Sequence, residues 1–350
     1  IDETELSILQ DYFQSKHIIC LGETWTHSDT ENEEKNKLKN KNSQINKSKK
    51  LQLKDFEYFQ ISRNYKHKKA WRAAGGQGIF IRKDILEGVK IVKNYNDVLV
   101  WIRIFKEFFQ LDRDVYLGSV YIYPENSLCT EEDHFQLIQQ AVCDLPCDID
   151  HFLLGDYNSR IKDMLDYVVD EIHGSEGPLT DIVDSNPYGQ ESVYSYLKKI
   201  NKLKRNTLDN RLKNKFANNL RDLCITSNMF ILNGRFGDND HGFHTRIDTT
   251  GLSLVDYVLC TPRSHTLVKD FSVGEKLPES DHLSLKLVLK IGKSVKRQMS
   301  NETCQHWTPL HKYIWKKEDL TILQENLSDS ESMMYKNLFR TSIYELTDVQ

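Results

Sequence analysis

The sequence predicts an α/β fold in which two packed, mixed β-sheets are flanked by helices. Short apolar or alternating runs of strand length recur along much of the chain, and few segments with helical period intervene between them. That ratio suits two stacked sheets better than a strictly alternating parallel sheet. The chain of 350 residues is long enough for a large core of this kind.

The elements are predicted in order. Leu6, Leu9 and Phe13 recur at helical spacing, with Ile8 and Tyr12 beside them, and lead into the apolar run Ile18–Leu21, which reads as a buried strand. Further strands are expected at 78–82, 89–92, 98–105, 115–122, 152–155, 229–232, 253–260 and 283–289. In the last of these Leu283, Leu285, Leu287 and Leu289 alternate with mostly polar neighbours, the period of a strand with one buried face. Thr130 and Asp133 form a capping-box pattern ahead of a helix ending near Leu145. Leu208, Leu212, Phe216, Leu220 and Leu223 make the apolar stripe of another. After Lys290 the strand rhythm stops. A boundary is therefore expected near residue 291, with 1–291 as the main domain and 292–350 as a partly helical tail or connector.

Composition bounds the function. With 39% hydrophobic and 28% charged residues the chain has the balance of a soluble globular protein. No apolar run approaches the roughly 20 residues that span a bilayer, so no membrane role is expected. No secretory segment is evident at the N-terminus, and the seven scattered cysteines suit a reducing compartment. An intracellular location follows as an expectation. The net charge of −4 argues against a generally basic coat, leaving local patches as the means of holding a polyanion. One runs through Lys35, Lys37, Lys39, Lys41, Lys47, Lys49, Lys50 and Lys54; another through Lys198, Lys199, Lys202, Lys204, Arg205, Arg211, Lys213 and Lys215.

Several polar residues stand at the ends of strand-like runs, where a side chain emerges from a rigid element into a crevice. Glu23 follows the first strand in LGETW. In GDYNSR, Asp156 and Asn158 are two apart, so an extended backbone points both to one side, and Gly155 permits close approach of chain or phosphate. In SLVDYVL, Asp256 stands among apolar neighbours, where a carboxylate is costly unless paired with a cation or histidine. SDHLSL adds Asp281 and His282 before the last strand. Together these supply carboxylates for a hard metal, a base for water and a donor for developing phosphorane charge, the needs of phosphodiester hydrolysis.

The ordered set LGETW, GGQGIFIRKDI, a tyrosine-bearing strand before Pro124, GDYNSR, ILNGR, SLVDYVL and SDH resembles the endonuclease/exonuclease/phosphatase superfamily, most closely the apurinic-type endonuclease domains of non-LTR (LINE-type) retrotransposons. The resemblance covers about residues 5–290. It implies a four-layered, DNase I-like sandwich and a Mg²⁺-dependent endonuclease, Mn²⁺ being the alternative ion. Glu23 would ligate the metal with Asp281 at its edge, Asp156 would be the general base, and Asn158 would position water or phosphate. Asp256 would orient His282. Tyr121 or Tyr123, with Tyr121 preferred, would donate to the phosphate. Arg160, Lys198, Lys199, Lys202, Lys204 and Arg205 are the expected DNA contacts. The implied function is nicking DNA to leave a 3′-hydroxyl that primes reverse transcription, in the nucleus, with a reverse transcriptase domain as partner. An abasic-site repair nuclease, another superfamily phosphatase and an inactive nucleic-acid-binding remnant are the alternatives. Superfamily members carry an Asn or Asp on a strand upstream of the glutamate strand, whereas this sequence starts at Ile1 in the preceding helix. A fold without that first strand is therefore expected.

Overall fold

The computed structural model describes residues 3–24, 53–61, 75–95, 97–125, 127, 133–169, 191–249, 251–278 and 280–292. Most of the first basic stretch, Thr130 and the tail from 293 onward lie outside the described residues. The chain divides into units Ile1–Arg297 and Gln298–Gln350, and the described residues all fall in the first.

The chain opens with helix α1 (Glu3–Gln14), followed by β1 (Ile18–Leu21), β2 (Phe56–Ile61) and β3 (Gln77–Arg82). A 3₁₀ turn then leads to the hairpin β4 (Val89–Tyr95) and β5 (Leu99–Ile104), the short helix α2 (Lys106–Phe109) and β6 (Val115–Tyr121). Helix α3 (His134–Cys143) lies between β6 and β7 (Asp150–Asp156). The second half runs α4 (Val193–Lys199), α5 (Phe216–Thr226), β8 (Phe230–Ile231), β9 (Arg246–Asp248), β10 (Gly251–Ser253), β11 (Asp256–Cys260), α6 (Pro262–His265), β12 (Val268–Lys276) and β13 (Leu283–Leu289).

Strands β4-β5-β6-β7-β11-β8 form a mixed sheet in that order, with β6 and β7 its parallel pair. The antiparallel sheet β1-β3-β2 and the pair β12-β13 complete the β structure among the described residues, apart from the small β9-β10 hairpin. Alternation along β5 explains the layering. Leu99 and Trp101 enter a core with Phe135 and Ile138 of α3 and Leu220 and Leu223 of α5. Val100, Ile102 and Ile104 point the other way, onto Ile79 and Ile81 of β3 and Phe271 of β12. A third cluster packs Leu9 and Phe13 of α1 against Ile19, Phe56 and Phe80 on the outer face of the small sheet. The result is helix, sheet, sheet, helix: the expected four-layered sandwich. Among the described residues no helix is long and apolar enough to cross a membrane.

Three expectations need correcting. The run 253–260 is two elements, because the N–H groups of residues 254–256 are claimed by side chains: Leu254 N donates to Asp209 Oδ2, and Val255 N and Asp256 N donate to Thr245 Oγ1. The helix predicted from Leu208 starts only at Phe216. Upstream, Asn206 N and Leu208 N are bonded to the Gly234 and Gly242 carbonyls, and Leu212 stays 83% exposed. Asp133 is itself the cap of α3, accepting from Phe135 N and Gln136 N, so it is not the third residue of a box begun at Thr130. Strands β2, β9 and β12 were not predicted.

Candidate active site

Three neighbouring strands deliver one row of polar side chains. Tyr121 at the end of β6 is in register with Asp156 at the end of β7, and Asp156 is in register with Asp256 at the start of β11. Registered residues on adjacent strands share a face, so the three groups line one edge of the sheet. The parallel pairing of β6 with β7 matters here, because it brings two strand C-termini to the same end of the sheet.

His282 faces this row. Its Nδ1 lies 3.0 and 2.9 Å from the two Asp256 carboxylate oxygens, and its Nε2 lies 3.9 Å from Asp156 Oδ2 and 3.9 Å from Asp281 Oδ1. Burial alone would lower the imidazole pKa, but hydrogen bonding to Asp256 and the charges of Asp256, Asp156 and Asp281 raise it to about 9. Burial, and then the Asp256 charge, push the Asp156 carboxyl well above the usual carboxylate range, a rise opposed by His282. Asp156 accepts from the backbone N–H of Asn158 at 2.7 Å and from its Nδ2 at 2.9 Å. Asn158 sits in the left-handed region at φ 46°, and its Nδ2 also reaches the Ile122 carbonyl. Asn158 O in turn accepts from Asn214 Nδ2, whose Oδ1 takes the Arg160 N–H. Arg160 therefore belongs to the site end of the sheet.

Glu23 is exposed and has φ 51°; Tyr121 OH donates to its Oε1. Burial, then the Glu23 charge, raises the Tyr121 phenol, so it stays a donor. Tyr123, the other tyrosine considered, donates to Asp97 at 2.6 Å instead. Asp281 accepts from Arg246 Nε at 2.8 Å; burial would raise its carboxyl, but the Arg246 bond and the His282 charge hold it below the ordinary value.

Three supports were not assigned a role from the sequence, and only the third, Asn233, lies in a motif singled out there. Thr245 receives the backbone N–H of Asp256 on its hydroxyl and that of Leu283 on its carbonyl, so one residue joins the strand bearing Asp256 to the strand after His282. Arg246 holds Asp281 and forms a β-bridge with His282. Asn233, in ILNGR, is buried and acts as a strand partner for β11, donating to Asp256 O and accepting from Val258 N.

The basic residues divide. Arg205 is not a DNA contact: it is buried, with its guanidinium on the Lys162 and Met164 carbonyls. Lys199 pairs with Glu191 at 3.6 Å on α4, and that helix packs through Tyr196 onto His265 of α6, beside Asp150 and His151 at the start of β7. Asp156 is at the other end of that strand, roughly 20 Å away at about 3.3 Å per residue. Lys198 shares α4, and Lys202 lies over Phe236, which stacks on His265. The three lysines therefore sit away from the polar row. Lys204 is exposed.

Among the described residues, Asp156, Asp256 and His282 offer ligand atoms all within 4.8 Å of one another. With Glu23 and Asp281 nearby, four carboxyl groups stand beside one imidazolium and one guanidinium. That surplus of negative oxygen donors fits a hard divalent cation such as Mg²⁺ or Mn²⁺. His282 Nδ1 is already engaged by Asp256, which leaves the carboxylates of Glu23 and Asp281 as the more open ligands.

A search of curated protein sequences found no match. Among solved structures the chain is similar to the endonuclease domain of TRAS1, a telomere-specific non-LTR retrotransposon, at 14% identity and TM-score 0.46, over 83% of this chain and 93% of that one. It is similar to the AP endonuclease LMAP of Leishmania major at 10% identity and TM-score 0.50, over 81% of this chain and 82% of that one. The catalytic domain of Xenopus laevis APE2 matches at 13% identity and TM-score 0.43, over 84% of this chain and 91% of that one. At such identities the likeness concerns the fold alone, and that to LMAP agrees with the layers described above. The sequence model of the endonuclease/exonuclease/phosphatase family matches residues 3–282, from the first helix to the histidine that closes the site, and the chain belongs to that family.

Proposed function

We propose that this chain is a divalent-metal-dependent endonuclease that nicks one strand of DNA, leaving a 3′-hydroxyl from which a retrotransposon's reverse transcription starts. The observation that carries the hydrolytic reading is the row Tyr121, Asp156 and Asp256, with His282 held across it by Asp256. Asp156, its carboxyl raised above the usual carboxylate range by burial, is the group that would take a proton from the attacking water. Asn158 fixes the Asp156 carboxylate with two hydrogen bonds and so orients its free lone pairs. The His282 imidazolium, oriented through Nδ1, presents Nε2 to the developing negative charge of the phosphorane. Tyr121 adds a phenolic donor at the same edge. Mg²⁺, or Mn²⁺ in its place, held by Glu23 with Asp281 at its edge, would neutralise charge on the phosphate oxygens.

The retroelement assignment rests on the ordered motif set, and it makes a reverse transcriptase domain of a longer product the expected partner and the nucleus the expected place of action. DNA would approach over Arg160, with the exposed Lys204 as a further candidate contact. Incubation of supercoiled plasmid with Mg²⁺ tests the reading. Wild type should give nicked circles whose ends a polymerase extends without further processing, and Asp156→Ala and His282→Ala should each lower the rate by about 10²- to 10⁴-fold. Equal nicking by all three proteins would refute the assignment, and turnover confined to an abasic duplex would move the chain to the repair branch.

A further inference from the structure

Asp97 lies in the turn between β4 and β5, 3% exposed and at φ 60°. It contributes nothing to the polar row, yet its hydrogen bonds converge on the backbone that carries Glu23. Its Oδ2 accepts from Gly76 N at 2.9 Å and from Tyr123 OH at 2.6 Å. Its carbonyl accepts from the buried Gln77 Nε2 at 2.7 Å, and Gln77 Oε1 accepts from Ser119 Oγ on β6 at 2.6 Å. The Gly76 peptide then turns its carbonyl to Thr24 N at 3.2 Å, directly after Glu23. A second route runs through rings: Tyr123 meets Tyr121 edge-on at 5.1 Å, and Tyr121 OH donates to Glu23. Both routes start at one carboxylate oxygen; one ends on the peptide N–H that follows Glu23 and the other on the Glu23 carboxylate.

We infer that Asp97 is a positioning residue that holds Glu23 in its metal-binding geometry through the Gly76 peptide and the Tyr123 ring. Glu23 needs such support for a physical reason. A non-glycine residue in the left-handed region is held there by its surroundings, and this one is exposed, so its own packing supplies little. Gly75 shows how closely the support is fitted: it lies at φ 82°, and a Cβ there would strike Tyr123 OH and Asp97 Oδ2. The inference rests on the nuclease reading, in which Glu23 is a metal ligand.

The test compares Asp97→Ala, Asp97→Asn and Tyr123→Phe with wild type by two measurements. One is Mn²⁺ affinity without DNA, read from the free-ion signal in electron paramagnetic resonance. The other is the Mg²⁺ dependence of plasmid nicking. Asp97→Ala should weaken Mn²⁺ binding by about 10-fold or more, and should raise the half-maximal Mg²⁺ concentration equally while the rate at saturating metal recovers. Asp97→Asn keeps an oxygen acceptor for both donors and should stay near wild type. Tyr123→Phe, which removes one arm and spares the fold, should fall between. Asp114→Asn supplies the stability control, since Asp114 accepts from Arg103 and Lys106 N at the far end of β6; it should lower Tm without moving Mn²⁺ affinity. Unchanged Mn²⁺ affinity in Asp97→Ala and Tyr123→Phe, with wild type binding and nicking normally, overturns the positioning role alone. A wild-type chain that neither binds Mn²⁺ nor nicks removes the nuclease reading, and the inference falls with it.

Discussion

Buried Asp256 and partly buried His282 form a pair whose behaviour with pH is specific enough to measure. The folded imidazole, with its pKa at about 9, lies above its ordinary unfolded value of 6.5. Its stabilising contribution is therefore fully present below pH 6.5 and is lost as the pH rises through 9. The raised Asp156 carboxyl acts in the same direction, because the folded state holds a proton that the unfolded chain releases. Metal-free protein should accordingly lose resistance to urea between about pH 6.5 and 9. Asp256→Asn removes the principal charge on His282. An NMR titration of the His282 ring should then give a pKa clearly below that of wild type, together with a flatter stability profile; an unmoved titration would contradict the pairing.

At the scale of elements, the site depends on how closely β6 and β7 approach. Gly155 has φ 146°, and a Cβ there would collide with the Val120 carbonyl oxygen of β6. Gly155→Ala should cost about 1–3 kcal/mol of stability, seen as a lower urea midpoint, and should lower nicking because Asp156 follows directly. This glycine, with Asp156, Asn158 and Asp256, was legible in the sequence because it sits at the end of an apolar run. The interior strands were legible for the same reason: β5, β7 and β11 contain the apolar runs 99–102, 152–154 and 257–260. Strand β12 was hidden, since VKDFSVGEK is half charged and its pairing with β13 contains irregularities. Thr245, Arg246 and Asp97 were hidden too. Their work is done by single hydroxyl, guanidinium and carboxylate groups reaching strands remote in sequence, and one chain read alone carries no mark of such contacts. The false helix start at Leu208 has the complementary cause: a helical stripe of leucines was outweighed by backbone bonds to Gly234 and Gly242.

Across the whole molecule two predictions separate structural from functional charge. Arg235 and Asp166 are fully buried and doubly bonded, at 2.6 and 2.7 Å, and Asp166 also accepts the Ile231 N–H at 2.8 Å. They tie the loop after β7 to β8. Asp166→Ala strands the guanidinium in the interior and should cost about 3–5 kcal/mol in chemical denaturation. The second concerns DNA binding. Lys198 and Lys199 belong to the end of the sheet remote from Asp156, so Lys198→Ala combined with Lys199→Ala should leave the salt dependence of DNA affinity unchanged. Arg160→Ala should reduce the slope by about one, measured as binding against salt concentration.

The row of active groups also has a consequence for the order in which the protein is made. Tyr121, Asp156, Asp256 and His282 are brought together from distant positions along the chain, and the histidine comes last. A growing polypeptide can pair β6 with β7 well before β11 leaves the ribosome, but the imidazolium joins only when nearly the entire family-matched region has emerged. On the nuclease reading proposed above, cleavage competence would thus be withheld until nearly all of the family-matched region has been made, and prematurely terminated products that stop short of residue 282 would lack the imidazolium of the site.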